Sequence, residues 1–315
     1  MEQIFLKACA KLNLFLDITG KCENGYHLIK SVMQSVDIFD RVSVKKSGEI
    51  SVKCSESALD GENNLAHKAA ALFFGQTGIA GGAEIYIEKR IPMQAGMAGG
   101  SADAAAVLYG LNRLYEAKLS AEELCAMGAR LGADLPFCLC GGTMLCEGIG
   151  ERLSPLPELS DCFFVIVKPE IGMSTAESYR IYDEHEAAGL EHGDFSTMST
   201  ALEAENIQNV GKALYNALEC TVPDSVLKIK SALLKVGAEG ALMTGSGTAV
   251  FGIFQSIEKA AAARDALSAE YGSIFIARPA KSAVSEDESA PVFERLDSLG
   301  INYECINHPA VYTMD

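Results

Sequence analysis

The chemistry most visible in this chain lies in Pro92-Met93-Gln94-Ala95-Gly96-Met97-Ala98-Gly99-Gly100-Ser101, followed by Ala102 and an alanine-rich run. Glycines at 96, 99 and 100 let backbone N–H groups approach phosphate oxygens with no Cβ in the way. A helix beginning near Ser101 would add its unpaired first-turn amides and the positive end of its dipole. A triphosphate held there needs no dense cluster of lysines. No Gly-Lys-Ser/Thr closes the loop, so it is not a Walker A motif, and its glycine spacing differs from the dinucleotide-binding fingerprint. By itself the loop fits equally well a tight strand-to-helix turn built from small residues.

The flanking elements are those such a loop needs. Ala83, Ile85 and Ile87 alternate with polar neighbours and predict a half-buried strand, and residues 101–115 predict the helix. Upstream, residues 4–18 read as one or two strands bounded by turn signals at Gly20 and Gly25. Val42 and Val44 with Ile50 and Val52 suggest a hairpin across Lys46-Ser47-Gly48. Residues 64–74 read as a helix stopped by Gly75. Downstream, helices are expected over 121–131 and from Asp134 to Gly141-Gly142. Buried strands are expected over 163–167 and 250–254. Strands arriving in runs, with helices grouped apart, favour an α+β fold over a doubly wound parallel sheet. Pro155 and Pro157 mark the expected division between domains 1–157 and 158–284. Residues 285–315 begin with the acidic Ser285-Glu286-Asp287-Glu288-Ser289 and read as a linker and tail.

Composition narrows the function classes. The 315 residues carry a formal net charge of −16, which repels polyphosphate backbones, so no nucleic-acid partner is expected. The same field repels ATP, so a nucleotide site must come from local amides and a few lysines. No apolar run approaches the ~20 residues of a membrane span, and Met1–Ala10 lacks a signal-peptide core. The expected protein is soluble and cytoplasmic, with no membrane partner. Its ten cysteines are scattered and read as reduced thiols; no metal ligands are assigned.

Three segments, in order, resemble the GHMP kinase superfamily: Lys11-Leu12-Asn13-Leu14-Phe15-Leu16, the glycine loop, and Thr244-Gly245-Ser246-Gly247-Thr248-Ala249-Val250-Phe251. Gly25-Tyr26-His27, Gly132-Ala133-Asp134-Leu135-Pro136, Glu147–Glu151 and Ser174–Tyr179 are similar to the branch acting on a cytidine diphosphate derivative. The resemblance runs from about Ile4 to Ile276. It implies a two-domain GHMP kinase fold, ribosomal-protein-S5-domain-2-like at the N-terminus and ferredoxin-like α+β at the C-terminus. It also implies ATP with Mg2+, and γ-phosphoryl transfer to an alcohol of a small-molecule substrate, a step of non-mevalonate isoprenoid synthesis. Rivals are another GHMP small-molecule kinase, of mevalonate or homoserine type, and a catalytically inactive sensor on the same fold.

The resemblance also distributes roles. Asp134 is the candidate catalytic carboxylate; from spacing alone it is an N-cap before Pro136, and both can hold. Lys11 would stabilise charge at the attacking oxygen; otherwise it is a surface strand lysine. Asn13, Tyr26, His27 and Thr175 fall on the substrate side, with the two aromatic rings suited to stacking on a pyrimidine. Tyr26 and His27 could instead be turn aromatics beside Gly25. Asn64, and Lys89 or Arg90, are weaker candidates for the adenine side, with helix capping and a solvated charge run as alternatives. Gly245, Ser246 and Gly247 would support the first loop or sit near the phosphates. Met97 replaces the superfamily's usual leucine and Ala102 its second serine, which leaves the magnesium ligand open. Residues 292–313 resemble the opening of a prolyl-tRNA editing deacylase, too short to enclose an active site.

Overall fold

Alternating apolar and polar residues at the start of the chain build two long antiparallel strands, β1 (Gln3–Lys21) and β2 (His27–Ser47). The computed structural model describes residues 1–186 and 189–288. After β3 (Ser51–Cys54) come α1 (Leu65–Thr77), β4 (Gly82–Glu88), α2 (Gly99–Leu114), α3 (Ala121–Ala129), α4 (Leu135–Cys140), β5 (Thr143–Gly148) and β6 (Arg152–Pro155). The chain continues through β7 (Phe163–Val167), α5 (Thr175–Glu186), α6 (Phe195–Glu203), α7 (Ile207–Lys212), β8 (Tyr215–Asn216) and α8 (Asp224–Lys235). It closes with β9 (Gly240–Met243), β10 (Val250–Phe254), α9 (Ile257–Leu267), β11 (Ile274–Ala277) and β12 (Val284–Glu286).

Among the described residues the strands form two sheets, giving the expected α+β architecture. The larger runs β12-β1-β2-β4-β3, with β5 on the other half of β2, β6 beyond it, and β8 on β1. The smaller, β11-β7-β10-β9, is antiparallel throughout. Most of α2 is buried, because its small residues let it sit between the sheet and α1. The approach is close at Gly110, where a Cβ would come 2.9 Å from the Leu6 side chain. No described helix is long and apolar enough to cross a membrane.

Several local expectations fail, each for a physical reason. The hairpin across Lys46-Ser47-Gly48 does not form: β4 inserts between its two arms, antiparallel to β2 and parallel to β3. Gly82 permits this, since a Cβ there would meet the Glu49 backbone at 2.4 Å. α1 runs through Gly75 and stops at Gly78, whose φ of 66° gives the left-handed cap. α2 starts at Gly99, two residues before the expected Ser101. The acidic stretch read as a linker opens as β12, paired to β1 from Leu6 to Ala8. Asp287, beside it, is buried against Arg41 at 3.1 Å and Lys7 at 3.6 Å. The deacylase-like segment lies outside the described residues.

Candidate active site

Lys11 and Asn13 are two residues apart on β1 and so project to the same face. Both are buried, at 4% and 1% exposure. The Lys11 backbone N–H donates to Met97 O at 3.2 Å, which ties the strand to the glycine loop. Its ammonium donates to Asn13 Oδ1. Ser31 Oγ donates to Phe15 O at 2.7 Å and therefore accepts from Asn13 Nδ2 at 2.8 Å, an orientation that turns the Asn13 carbonyl toward Lys11. Among the described residues no carboxylate pairs with Lys11, so the surface-lysine reading is wrong: this is a buried cation held by a neutral partner.

The glycine loop meets the second glycine motif backbone to backbone. Gly96 has φ 74°, and a Cβ there would fall 2.1 Å from Thr244 O. A Cβ at Gly245 would meet Gly96 O at 2.9 Å and the Lys11 ammonium at 3.1 Å. Ala249 N–H donates to Ala95 O at 3.2 Å, and Asn13 N–H to Thr244 Oγ1 at 2.9 Å. Ala98, the residue before α2, is left-handed with φ 59° and supplies no side-chain cap. The first amides of α2 are thus unclaimed by any cap, a concave donor array suited to phosphate.

Under this loop lies an ion cluster that sequence reasoning missed. Lys89 is bound by Asp40 on β2 and by Asp103 in the first turns of α2, the latter at 2.7 Å. Asp40 also accepts from the backbone of Arg90 at 2.5 Å and Ile91 at 2.8 Å. Burial lowers the Lys89 pKa, but the two carboxylates outweigh it and leave it raised. Burial, then the nearby Asp40 charge, push Asp103 well up. The alternative of a solvated charge run therefore fails at Lys89. Arg90 is held by Glu88 at 2.6 Å.

Asp134 occupies the N-cap position of α4, but its carboxylate makes no capping bond. It lines the same cleft as Lys11, Gly99, Gly100 and Ser101, without pairing to the lysine. Both charges reach the buried thiols of Cys138 and Cys146: burial chiefly raises those thiols, Asp134 adds to the rise and Lys11 opposes it. Asn64 also lines the cleft, with its side chain capping α1 through Ala66 N at 2.9 Å and donating to Leu59 O at 2.8 Å.

At the other end of the cleft, Tyr26 projects from the β1–β2 turn at 60% exposure. His27 Nε2 lies 2.6 Å from Asp183, which also binds Lys21 at 2.6 Å. The His27 ring stacks on Tyr179 at 4.6 Å. Thr175, Tyr179 and Asp183 recur every four residues along α5, a stripe on one helix face, and all line the cleft. Thr175 Oγ1 lies 2.9 Å from Ser246 Oγ, linking α5 to the second glycine motif. The resemblance singled out Thr175 alone; the four-residue spacing was the available signal for Tyr179 and Asp183. The cleft measures about 1760 Å³, beyond the ~300–1,000 Å³ usual for one ligand and large enough for two. Among the described residues no group of three or more His, Cys, Asp or Glu could hold a metal.

The helix start of α2, Lys11 and Asp134 thus line one cleft, with no ion pair to either side chain among the described residues, an arrangement suited to phosphoryl transfer. Residues 64–142 match the family described as GHMP kinases N terminal domain, and residues 198–273 match GHMP kinases C terminal. A 4-diphosphocytidyl-2-C-methyl-D-erythritol kinase from Clostridium botulinum is 41% identical over 278 residues, covering 87% of this chain and 99% of the relative. The crystal structure of a 4-(cytidine 5'-diphospho)-2C-methyl-D-erythritol kinase superposes with TM-score 0.73 at 31% identity, covering 87% of this chain and 98% of that one. A homoserine kinase from Cytophaga hutchinsonii, 18% identical with TM-score 0.71 over 91% of this chain and 98% of its own, shares the fold. The chain belongs to the 4-diphosphocytidyl-2-C-methyl-D-erythritol kinase family of GHMP kinases.

Proposed function

We propose that this protein transfers the γ-phosphoryl group of ATP to the 2-hydroxyl of 4-diphosphocytidyl-2-C-methyl-D-erythritol, a step of non-mevalonate isoprenoid synthesis. The observation that carries the reading is the meeting, in one large cleft, of an uncapped helix start with a buried lysine and a carboxylate that have no ion-pair partner among the described residues. The amides of Gly96–Ser101 hold the triphosphate. Lys11, oriented by Asn13, stabilises negative charge between the acceptor oxygen and the transferred phosphoryl. Asp134 orients the acceptor hydroxyl and takes its proton as the oxygen–phosphorus bond forms and the bond to ADP breaks. Phosphoryl transfer proceeds largely by positioning and charge stabilisation, so orientation is the larger part of its contribution. Tyr26, His27 and Tyr179 receive the cytosine ring. ATP would bring magnesium with it, and the metal would neutralise charge on the phosphates, while the amides of the loop would hold the same phosphates. Residues 1–157 then carry the nucleotide loop and the reacting groups, and residues 158–284 supply α5 and the second glycine motif.

A coupled assay of ADP release, run with the diphosphocytidyl substrate and with mevalonate in parallel, tests the reading. Turnover is expected with the first alone. Asp134→Ala should lower turnover ~10²–10⁴-fold while ATP binding is largely kept. Unchanged turnover in that variant removes the assignment of Asp134, and turnover of mevalonate removes that of the substrate.

A further inference from the structure

Cys125 on α3 and Cys140 at the end of α4 bring their sulfurs to 3.6 Å. They are 15 positions apart, and the stretch they bracket contains Asp134. Both are partly exposed, whereas Cys9, Cys54, Cys138, Cys146 and Cys162 are buried. Neither lines the cleft. The Cys125 sulfur also lies 3.8 Å from Pro136 O, in the first turn of the helix that Asp134 begins. We propose that Cys125 and Cys140 are a reversible dithiol–disulfide pair whose oxidation displaces α4 and slows phosphoryl transfer.

The hydrogen bond between the two thiols favours a thiolate within the pair, drawing Cys140 down and pushing Cys125 up, and the 3.6 Å separation lets the second sulfur reach the first once it is oxidised. Burial pushes Cys9 and Cys162 up to about 12, which leaves them inert. With hydrogen peroxide as oxidant, the Cys140 thiolate attacks one oxygen, forming a sulfenic acid and releasing hydroxide. The Cys125 thiol then attacks that sulfur, and water leaves. Two electrons pass from the thiols to peroxide, and a thiol reductant reverses the step. A disulfide requires sulfurs at ~2.05 Å, so the two sulfurs must close by about 1.5 Å and Cys125 gives up the thiol proton it donates to Pro136 O, a strain that falls on α4. A displacement of about 1 Å in a reacting group costs ~10²-fold in rate. The glycine loop lies between β4 and α2, outside the linked segment, so ATP affinity should hold.

The effect on turnover rests on the phosphotransfer reading above; disulfide formation does not. Full-length protein treated with peroxide should give a proteolytic peptide pair joined through Cys125 and Cys140. Its turnover should fall about tenfold or more, with the KM for ATP within about twofold, and dithiothreitol should restore it. Cys125→Ser and Cys140→Ser should resist the treatment. The peptide map needs no variant, so misfolding of a serine mutant does not obscure it. Absence of the joined pair overturns the proposal, as does its presence with unchanged turnover, or equal inactivation of Cys125→Ser.

Discussion

At the scale of single residues, the site depends on polar groups whose partners are counted out. Lys11 has one neutral acceptor, Asn13 has its carbonyl fixed by Ser31, and Asp134 stands at a helix start that it does not cap. Lys11 and Asp134 each leave a charge that a bound phosphate or hydroxyl would satisfy. Tyr26 is the apolar counterpart, an aromatic ring left 60% exposed where it lines the cleft. Stacking of a base on an aromatic ring contributes ~1–3 kcal/mol, so Tyr26→Ala should raise the KM for the cytidine substrate about 5- to 150-fold. The KM for ATP should stay within about twofold, since the nucleotide is assigned to the amides of the glycine loop and not to this ring. Steady-state kinetics with each substrate varied in turn would separate the two, and an equal change in both would remove Tyr26 from base recognition. These residues were legible because motifs record chemistry locally. The pairing of Lys89 with Asp40 and Asp103 was not, because those partners lie on other elements, and Tyr179 and Asp183 were signalled only by their four-residue spacing from Thr175.

At the scale of elements, backbone contacts decide more than side chains do. Gly96 and Gly100 stand four residues apart in one loop yet should respond oppositely to alanine. At Gly96, φ 74° and Thr244 O at 2.1 Å leave no room, so Gly96→Ala must separate the two glycine motifs. At Gly100 nothing lies within 4 Å and the backbone is helical, so alanine should keep or raise thermal stability. Both should weaken ATP binding if the amides hold phosphate, and calorimetric titration beside a melting curve reads both effects. A second element-level contact is pH-dependent. His192 reaches Asp17 at 3.0 Å and Glu186 at 3.3 Å, joining β1 to the end of α5. The hydrogen bond that its ring donates to the Asp17 carboxylate raises its pKa above the ordinary 6.5. The folded state therefore holds the proton more tightly, and the contribution is complete below the unfolded pKa and fades as pH rises through the folded one. Because the ring is largely exposed, the effect is below about 1 kcal/mol. The urea midpoint of His192→Gln should lie under that of the parent near about pH 5.5 and meet it near about pH 8.5; a gap that widens with pH would contradict the contact. None of this was readable from spacing, and neither was β4 between β2 and β3: both arms of the expected hairpin have the alternation of strands, but alternation does not say which strand pairs with which.

At the scale of the molecule, chain order and spatial order part company. The larger sheet begins with β1 and β2, yet its outer strand β12 comes from the end of the described chain, after the whole smaller sheet has been completed. The return passes beside the site: Ala283 O accepts from Cys9 N–H at 2.7 Å, and a Cβ at Gly141, just after α4, would meet the Ala283 backbone at 2.2 Å. Composition made this segment look like a linker because it is acidic, but Asp287 is 3% exposed, its N–H donates to Phe5 O at 2.8 Å, and its carboxylate meets Arg41 and Lys7. Removing one side of such a buried charge cluster leaves the other without its partner, which costs ~3–5 kcal/mol when burial is complete and less here, because Lys7 is partly exposed and Arg41 keeps Glu88 at 3.8 Å. Asp287→Ala should therefore destabilise the protein by about 1–3 kcal/mol, measured as a lower urea midpoint with the slope unchanged. A chain ended after Glu288 keeps β12, whereas one ended after Ala283 lacks it and should show lower stability and turnover than the first, because α4 and the Leu6–Ala8 stretch of β1 lose the strand beside them. If the two truncations melted alike, β12 would be a passenger on the sheet rather than the piece that ties the end of the chain to the site.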